Sequence, residues 1–210
     1  MLSQELRSAS QIVALVGLVF SLLMLIPWLA SVFTGWSGGE SFLWSGLTTG
    51  LVCALVMLAG WGDTPRVSTR FGVIVVNMLW WVLPLICAIP LMNSTGNFSF
   101  TDSLFEATSG LTTTGSTIVT DIVNQSRPVL LWRAIMQWVG GLGILSLGLI
   151  LLPFLRVGGM QLFRMESSDR SDKPLPRLIE IARSIIIIYL VLSILCVIGY
   201  LSVGMAPFDA

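Results

Sequence analysis

The sequence predicts an all-α membrane protein with five transmembrane helices and one short re-entrant helix, which enters the membrane from one face and returns as a loop. Its composition supports this fold class, because 55% of the 210 residues are hydrophobic and 10% are charged, whereas soluble domains carry fewer apolar and far more charged residues. Several apolar runs reach the ~20 residues that a helix needs to cross the hydrocarbon core. A polar stretch of Ser, Thr and Gly between two of these runs predicts the re-entrant element.

Four apolar segments meet the length requirement for a span. They cover residues 10–33, 42–61, 71–92 and 184–205. The first is too long for the core of a signal peptide and is not followed by a small-residue cleavage site, so we expect it to remain as a span. A fifth predicted span covers residues 128–155. Because Arg133 and Gln137 lie near its start, we expect its first two turns to lie at the membrane interface or to face protein.

The distribution of basic residues predicts the orientation. With the N-terminus in the cytoplasm, nine of the 11 Lys and Arg residues fall inside and two, Arg127 and Arg133, fall outside, as the positive-inside rule requires. The segment 101–116 then begins and ends outside, because the span before it runs outward and the span after it runs inward. It is therefore either an external loop or a segment that dips into the membrane and returns.

The length of this segment favours the dip. Asp102 and a predicted capping box, formed by Ser103 and Glu106, start a short helix over residues 102–111. At about 1.5 Å per residue this helix covers roughly 15 Å, half of a hydrocarbon core about 30 Å thick. About five extended residues cover the same depth on the return.

The residues after the predicted short helix suit a cation path. Positions 112–117 read TTTGST and supply hydroxyl groups, a flexible glycine and little bulk. Non-helical backbone at membrane depth must be buried in protein or line water, and its carbonyls can replace the hydration shell of a cation. The C-terminal end of the helix dipole favours a cation, and Gly115 can adopt the backbone angles that turn a carbonyl inward. Small residues packed between helices and a polar external loop are the alternatives.

Several other classes of function are disfavoured. Histidine is absent, which removes histidine-based catalytic triads, metal sites and proton relays, so we expect no enzymatic activity. Cys53, Cys87 and Cys196 lie in apolar runs without CxxC spacing and are interpreted as packing residues. The formal net charge of zero gives no footprint for nucleic acid.

A partial repeat follows the last predicted span. The outward span 71–92 is followed by SFTDSLFEAT, and the outward span 184–205 is followed by GMAPFDA, in which residues 208–210 align with residues 101–103. One loop supplies only one wall of an ion path. We therefore expect the chain either to assemble with identical chains or to be the N-terminal piece of a longer polypeptide.

Four blocks of sequence together resemble the Trk-type potassium uptake proteins of bacteria, in the Trk/Ktr/HKT superfamily. In chain order they read FEATSGLTTTGSTI, WRAIMQWVGGLGIL, LPFLRVGGMQLFRMES and GMAPFDA. The resemblance covers essentially the whole chain, loosely over the first two spans and tightly from about residue 102 to residue 166.

The resemblance implies a channel-like fold of four tandem pore units, each with an outer helix, a half-membrane pore helix, a filter strand and an inner helix. Two extra helices precede these units in Trk-type members. The chain would hold an incomplete version of this fold, with residues 1–66 as the N-terminal extension, 67–160 as the first pore unit, and 161–210 as a cytoplasmic loop and the outer helix of an incomplete second unit. The first unit would comprise outer helix 71–92, pore helix 102–111, filter 112–116 and inner helix 128–155.

The resemblance also implies a potassium site. The filter would consist of Thr113, Thr114, Gly115 and Ser116, with Thr112 just inside, and all would use mainly backbone carbonyls. Glycine at position 115 is associated with potassium-passing members, whereas serine there accompanies sodium-preferring plant relatives. Potassium would be the transported ion, and no covalently bound cofactor is expected.

Charged and small residues near the loop are predicted to support this filter. Arg133 is expected to pair with Glu106 or Asp121, or to act as an interfacial anchor. Glu106 is expected either to bond to the returning strand or to attract cations at the mouth. The glycine cluster that begins at Gly140 is interpreted as a site of close helix packing behind the loop, and Trp132 as part of an interfacial aromatic belt.

The predicted function is potassium uptake across the bacterial cytoplasmic (inner) membrane by a multi-pass protein with a cytoplasmic N-terminus. The resemblance implies membrane lipid, a second copy in a full-length homodimer and a cytosolic nucleotide-binding gating subunit of the RCK type as partners, and no nucleic acid. The basic segment 156–183 is a candidate docking surface for that subunit, or an ordinary positive-inside loop. The alternative functions are a non-transporting membrane scaffold or regulatory fragment, and a secondary transporter with a broken helix at 101–116.

Overall fold

A computed structural model of the chain describes residues 2–60, 69–95, 98–122, 124–151 and 174–210. These residues form six helices and contain no strand. The helices are α1 (Leu2–Thr34), α2 (Glu40–Ala59), α3 (Thr69–Thr95), α4 (Phe100–Leu111), α5 (Arg127–Leu151) and α6 (Pro174–Ser202). The all-helical prediction is confirmed.

Four of the described helices are long and apolar enough to cross a membrane. The apolar stretches are Gln4–Thr34, Glu40–Ala59, Arg70–Ser94 and Ala182–Ser202. They match four of the predicted spans and indicate a multi-pass membrane protein. Helix α5 lies where the fifth span was predicted, but it is not among these four, and residues 152–155 of that prediction lie outside the described residues. A crossing by α5 stays a prediction.

Several hydroxyl side chains within these apolar helices bond to the backbone of their own helix. Ser21 Oγ donates to the Leu18 carbonyl at 2.8 Å, and Ser31 Oγ donates to the Pro27 carbonyl at 2.7 Å. A helix already satisfies its backbone groups internally, which makes it one of the two structures that can span lipid. The bonded hydroxyls add no unpaired polar group to that arrangement.

The described residues fall into two compact units, Met1–Gly141 and Leu142–Ala210. In the first unit α1 packs against α2 and α3, and α3 also packs against α2 and α4. The approach of α2 to α1 is close at Gly46, where a Cβ would lie 3.0 Å from the Ser21 carbonyl oxygen. Small residues at such crossings let helices approach backbone to backbone, as membrane helices commonly do.

The core of the first unit includes residues of α4. Its buried members come from five helices and are Phe20, Met24, Phe42, Cys87, Ala88, Leu91, Ala107, Leu111, Val129, Trp132 and Met136. Helix α4 has only 12 residues, too few to cross a bilayer. Its position therefore depends on packing against its neighbours, and the dense core supplies that packing.

Trp132 lies inside this core, so its assignment to an interfacial belt was wrong. The side chain is 0% exposed, and its ring stands edge-on to Phe20 and Phe42 with centroid distances of 6.5 and 6.1 Å. Its indole N–H donates to the Cys87 carbonyl at 3.1 Å. A large apolar ring with one polar N–H suits both an interface and a core that supplies an acceptor. The sequence pattern does not distinguish the two environments.

The second unit is dominated by α6. Isoleucine and leucine side chains along this helix are exposed, among them Ile186, Ile188, Leu192 and Leu195. Beyond the helix, Gly204 has φ +93° and turns the chain. The N–H groups of Asp209 and Ala210 then donate to the Ala206 carbonyl at 2.9 and 3.0 Å, which forms a turn where the partial repeat places a second short helix.

Candidate functional site

The short helix α4 begins two residues earlier than predicted. Ser99 is its N-cap: the Asp102 N–H donates to Ser99 Oγ at 3.1 Å, and the Ser99 N–H donates to Asp102 Oδ2 at 3.0 Å. The predicted capping box of Ser103 and Glu106 is therefore wrong. Both pairs fit the same sequence pattern, but the Glu106 carboxylate is bound elsewhere. The hydrogen bonds from Ser99 hold the pKa of Asp102 below its ordinary value.

Glu106 connects α4, the returning loop and α5. Its side chain is 0% exposed. One carboxylate oxygen accepts the Thr117 hydroxyl and the Ile118 N–H, both at 2.7 Å, and the other is ion-paired with the Arg133 guanidinium. Arg133 also donates to the Thr117 hydroxyl at 2.8 Å. Two roles were considered for Glu106, and in the structure it bonds to the returning backbone. Two ion-pair partners were considered for Arg133, and in the structure it pairs with Glu106.

Residues 112–114 fold back onto the end of α4. The N–H groups of Thr112, Thr113 and Thr114 donate to the carbonyls of Thr108, Gly110 and Ser109 at 2.9, 3.0 and 3.1 Å. The last two bonds form a Schellman motif, which satisfies the terminal carbonyls of a helix. The left-handed position of this motif is usually glycine, but here it is Thr113, with φ +56°. A β-branched residue in this region is strained.

The backbone carbonyls of residues 112–115 accept no hydrogen bond from the part of the chain that the structure describes. We call residues 112–116 the candidate filter segment. Among the described residues no donor bonds to the carbonyls of residues 112–115, and residues 113–116 are exposed. Gly115 has φ +76°, and a Cβ built there meets no described atom within 4 Å. The Ser116 carbonyl differs, because it accepts the Ser109 hydroxyl at 2.6 Å.

Helix α5 supports the end of α4 from behind. A Cβ at Gly110 would lie 3.2 Å from Met136 Cβ, and one at Gly140 would lie 2.8 Å from the carbonyl carbon of Leu111. At the second of these distances a real side chain forces the neighbouring backbone to move. Glycine at position 140 therefore allows α5 to contact the backbone of the last residue of α4, which is the close packing that the sequence predicted for Gly140, Gly141 and Gly143. The contact is seen at Gly140, whereas a Cβ at Gly143 would meet no described atom within 4 Å.

The structure brings most of the predicted site residues into one region of the first unit. The candidate filter segment follows α4, and Glu106 and Arg133 meet behind it. The contributions of Ser109 and Thr117 were not predicted, because a hydroxyl that bonds across a turn carries no distinctive local pattern. In the part of the chain that the structure describes, no cluster of three or more His, Cys, Asp or Glu residues could hold a metal.

Comparison with a family model decides the family of the chain. Residues 48–206 match the TrkH model, described as cation transport protein, and this match covers more than half of the chain. The chain belongs to the TrkH family.

Individual relatives of the TrkH family agree with this assignment. The Trk system potassium uptake protein TrkI of Halomonas elongata is 38% identical over 204 residues, which are 95% of this chain and 41% of the relative. The Trk system potassium uptake protein TrkH of Escherichia coli K12 is 32% identical over 207 residues, which are 97% of this chain and 43% of the relative. The chain spans about two fifths of the length of these curated relatives.

A solved structure of the same family has the same fold. The crystal structure of the potassium transporter TrkH from Vibrio parahaemolyticus matches with a TM-score of 0.84 and 31% sequence identity. The match covers 97% of this chain and 41% of that chain. Both units of the present chain thus have counterparts within a TrkH-family potassium transporter.

Proposed function

We propose that this chain forms the N-terminal part of a potassium uptake transporter and supplies one wall of its ion path through the backbone carbonyls of the candidate filter segment. The relatives are named as potassium uptake proteins, and the chain corresponds to less than half of each. The single observation that carries the proposal is the row of backbone carbonyls at residues 112–115, to which no described donor bonds, in a segment whose residues 113–116 are exposed.

The geometry of the Schellman turn supports a cation ligand role. Because the amide N–H groups of Thr112, Thr113 and Thr114 point back to α4, the polar groups left to face away from the helix are mainly oxygens. In a membrane an exposed backbone oxygen requires water or an ion, and rows of carbonyls replace the hydration shell of potassium in known filters. The partial negative charge at the C-terminus of α4 adds a favourable potential.

The support of the loop follows from the same contacts. Glu106 and Arg133 hold the returning backbone at Thr117 and Ile118, so they fix the far end of the candidate filter segment without contacting the ion. In this proposal they are positioning residues for the filter. A buried ion pair suits this role because its geometry is specific even where its net stabilisation is small.

The arrangement in the membrane completes the proposal. The N-terminus lies in the cytoplasm, α4 is a re-entrant pore helix that enters from the outside, and α5 crosses as the inner helix of the first pore unit. Residues 1–66 form the N-terminal extension, 67–160 the first pore unit, and 161–210 the start of the second. The full-length protein is a homodimer of the bacterial inner membrane that works with a cytosolic nucleotide-binding gating subunit of the RCK type. Three further loops, outside this chain, close the ion path.

Gly115→Ser tests the filter assignment. The experiment uses the chain extended through its downstream coding sequence, which we call the extended chain, and compares uptake of rubidium, as a potassium tracer, with uptake of sodium. We expect Gly115→Ser to lower the ratio of rubidium to sodium uptake, because serine strains a backbone at φ +76° and displaces its carbonyl. Gly35→Ser is a matched control, since Gly35 has φ +74° and no described atom within 4 Å of its Cβ position. An unchanged ratio in Gly115→Ser would contradict the filter role.

Growth on limiting potassium tests whether this chain needs the missing units. A bacterial strain without its own potassium uptake systems receives either the 210-residue chain or the extended chain. We expect only the extended chain to restore growth, because one loop supplies one wall of a cation path. Full rescue by the 210-residue chain would show that further loops are unnecessary, and no rescue by either would argue against potassium uptake.

A further inference from the structure

Ser109 bonds to the candidate filter segment on both sides of Gly115. Its carbonyl accepts the Thr114 N–H at 3.1 Å, and its hydroxyl donates to the Ser116 carbonyl at 2.6 Å. The side chain is 6% exposed, so these bonds lie at the boundary between α4 and the returning loop. Ser109 thus holds both neighbours of Gly115, which are Thr114 and Ser116.

The space beside Gly115 holds no described neighbour that could fix its orientation. A Cβ at this position would meet no described atom within 4 Å, and glycine at positive φ has several accessible backbone conformations. The direction of the Gly115 carbonyl is therefore determined by its two neighbours. Both neighbours are held by Ser109.

The Ser116 carbonyl already has a protein donor. A hydrogen bond of 2.6 Å from the Ser109 hydroxyl is at the short end of the range for O–H···O bonds. This carbonyl is directed at α4, whereas no described donor bonds to the carbonyls of residues 112–115. The five residues of the segment therefore do not have equivalent oxygens.

We propose that Ser109 is a positioning residue for ion selection, which directs the Gly115 carbonyl into the ion path by holding Thr114 and Ser116, and that the Ser116 carbonyl is an anchor and not an ion ligand. This inference rests on the proposed function of the segment. It assigns the selectivity of this loop to a side chain that does not contact the ion.

A second buried serine of α4 provides a matched control. Ser103 is 0% exposed, and its hydroxyl has no hydrogen-bond partner among the described residues. Ser103→Ala and Ser109→Ala each remove one buried hydroxyl from the same helix. Only the second change removes a bond to the loop.

The test measures the ratio of rubidium to sodium uptake in the extended chain. We expect Ser109→Ala to lower this ratio about fivefold, the factor that corresponds to losing an interaction of about 1 kcal/mol. Ser109→Thr keeps the hydroxyl and should stay within about twofold of the wild type, as should Ser103→Ala. If Ser109→Ala does not reach the membrane, Ser109→Cys has a similar volume and a weak donor, and it should lower the ratio in the same direction.

The outcomes separate this inference from the proposed function. If Gly115→Ser lowers the ratio while Ser109→Ala, or Ser109→Cys in its place, retains the wild-type ratio, the role of Ser109 is overturned and the filter assignment stands. Equal losses in Ser109→Ala and Ser103→Ala also overturn it, because they indicate a general packing effect. If Gly115→Ser has no effect, the filter assignment itself fails, and the inference fails with it.

Discussion

Gly140 of α5 lies against the backbone of Leu111, the last residue of α4, so closely that a Cβ at position 140 would be 2.8 Å from the Leu111 carbonyl carbon. The contact joins the proposed inner helix to the point where α4 ends and the candidate filter segment begins. Any side chain at position 140 must therefore displace either α5 or the start of that segment.

Gly140→Ala should lower the stability of the chain. We expect a loss of about 1–3 kcal/mol in the free energy of unfolding, because the added methyl overpacks a contact with backbone. Gly72→Ala is the control, since a Cβ at Gly72 meets no described atom within 4 Å, and alanine is the better helix former. Denaturant titration of the purified chain in detergent measures both variants. Equal stability in the two variants would contradict the close contact.

Breaking the buried ion pair should destabilise the chain more than breaking a partly exposed one. Arg133→Leu leaves the Glu106 carboxylate, on a side chain that is 0% exposed, without its counter-charge, and we expect a loss of about 3 kcal/mol in the free energy of unfolding. The double variant Glu106→Gln/Arg133→Leu should recover part of this loss, since no buried charge remains. Arg70→Leu breaks the pair between Arg70 and Glu5, whose side chains are 66% and 22% exposed, and should cost less than about 1 kcal/mol. Additive effects of Glu106→Gln and Arg133→Leu would argue against the coupling.

Replacing the strained threonine should stabilise the turn. Thr113 has φ +56°, and glycine is the usual residue at this position of a Schellman motif, so we expect Thr113→Gly to raise the free energy of unfolding by up to about 1 kcal/mol. Thr114→Gly should instead lower it, because this change removes the hydroxyl bond of 2.8 Å between Thr112 and Thr114 and adds backbone freedom. The same denaturant titration compares the two. Destabilisation by Thr113→Gly would show that the threonine conformation is not strained.

The cap of α4 should respond to acid. Hydrogen bonds from Ser99 lower the pKa of Asp102 below its ordinary value of 3.8, so the ionised carboxylate stabilises the folded chain above that pH, and this contribution is lost as the pH falls through the lowered pKa. The thermal midpoint of Ser99→Ala should therefore lie below that of the wild type at neutral pH, and the difference should shrink below about pH 3.8. Ser103→Ala should follow the wild type throughout. A difference that does not change with pH would contradict a role for the ionised carboxylate.

The parts of the fold that the sequence predicted are those that depend on local composition and length. The spans follow from apolar runs, and the short helix follows from a turn signal and a length of half the membrane. The bounds of α4 were less predictable. Ser99 with Asp102 and Ser103 with Glu106 both fit the capping pattern, and the choice depends on Arg133, Thr117 and Ile118, which bind Glu106 from elsewhere in the chain.

Contacts between distant hydroxyls and backbone were not predictable for a related reason. Ser103 and Ser109 are both buried serines of α4, yet only Ser109 contacts the returning loop. The path of residues 114–116 after the Schellman turn decides which of the two serines contacts the loop. This path requires Thr113 to adopt a conformation that its own side chain disfavours. No pattern in a single sequence marks such a residue.

The reaction of introduced cysteines with a membrane-impermeant thiol reagent tests the central claim most directly. Single cysteines at positions 113 and 115 are placed in an extended chain whose native cysteines have been replaced, and a cysteine at Asn124, an exposed residue before α5, serves as the control. We expect reagent added outside to modify positions 113 and 115 slowly, and we expect potassium to slow this reaction further relative to a large impermeant cation. Position 124 should react quickly with either cation. Fast, potassium-independent reaction at all three positions would contradict the central claim, because the segment would then lie in bulk water outside any ion path.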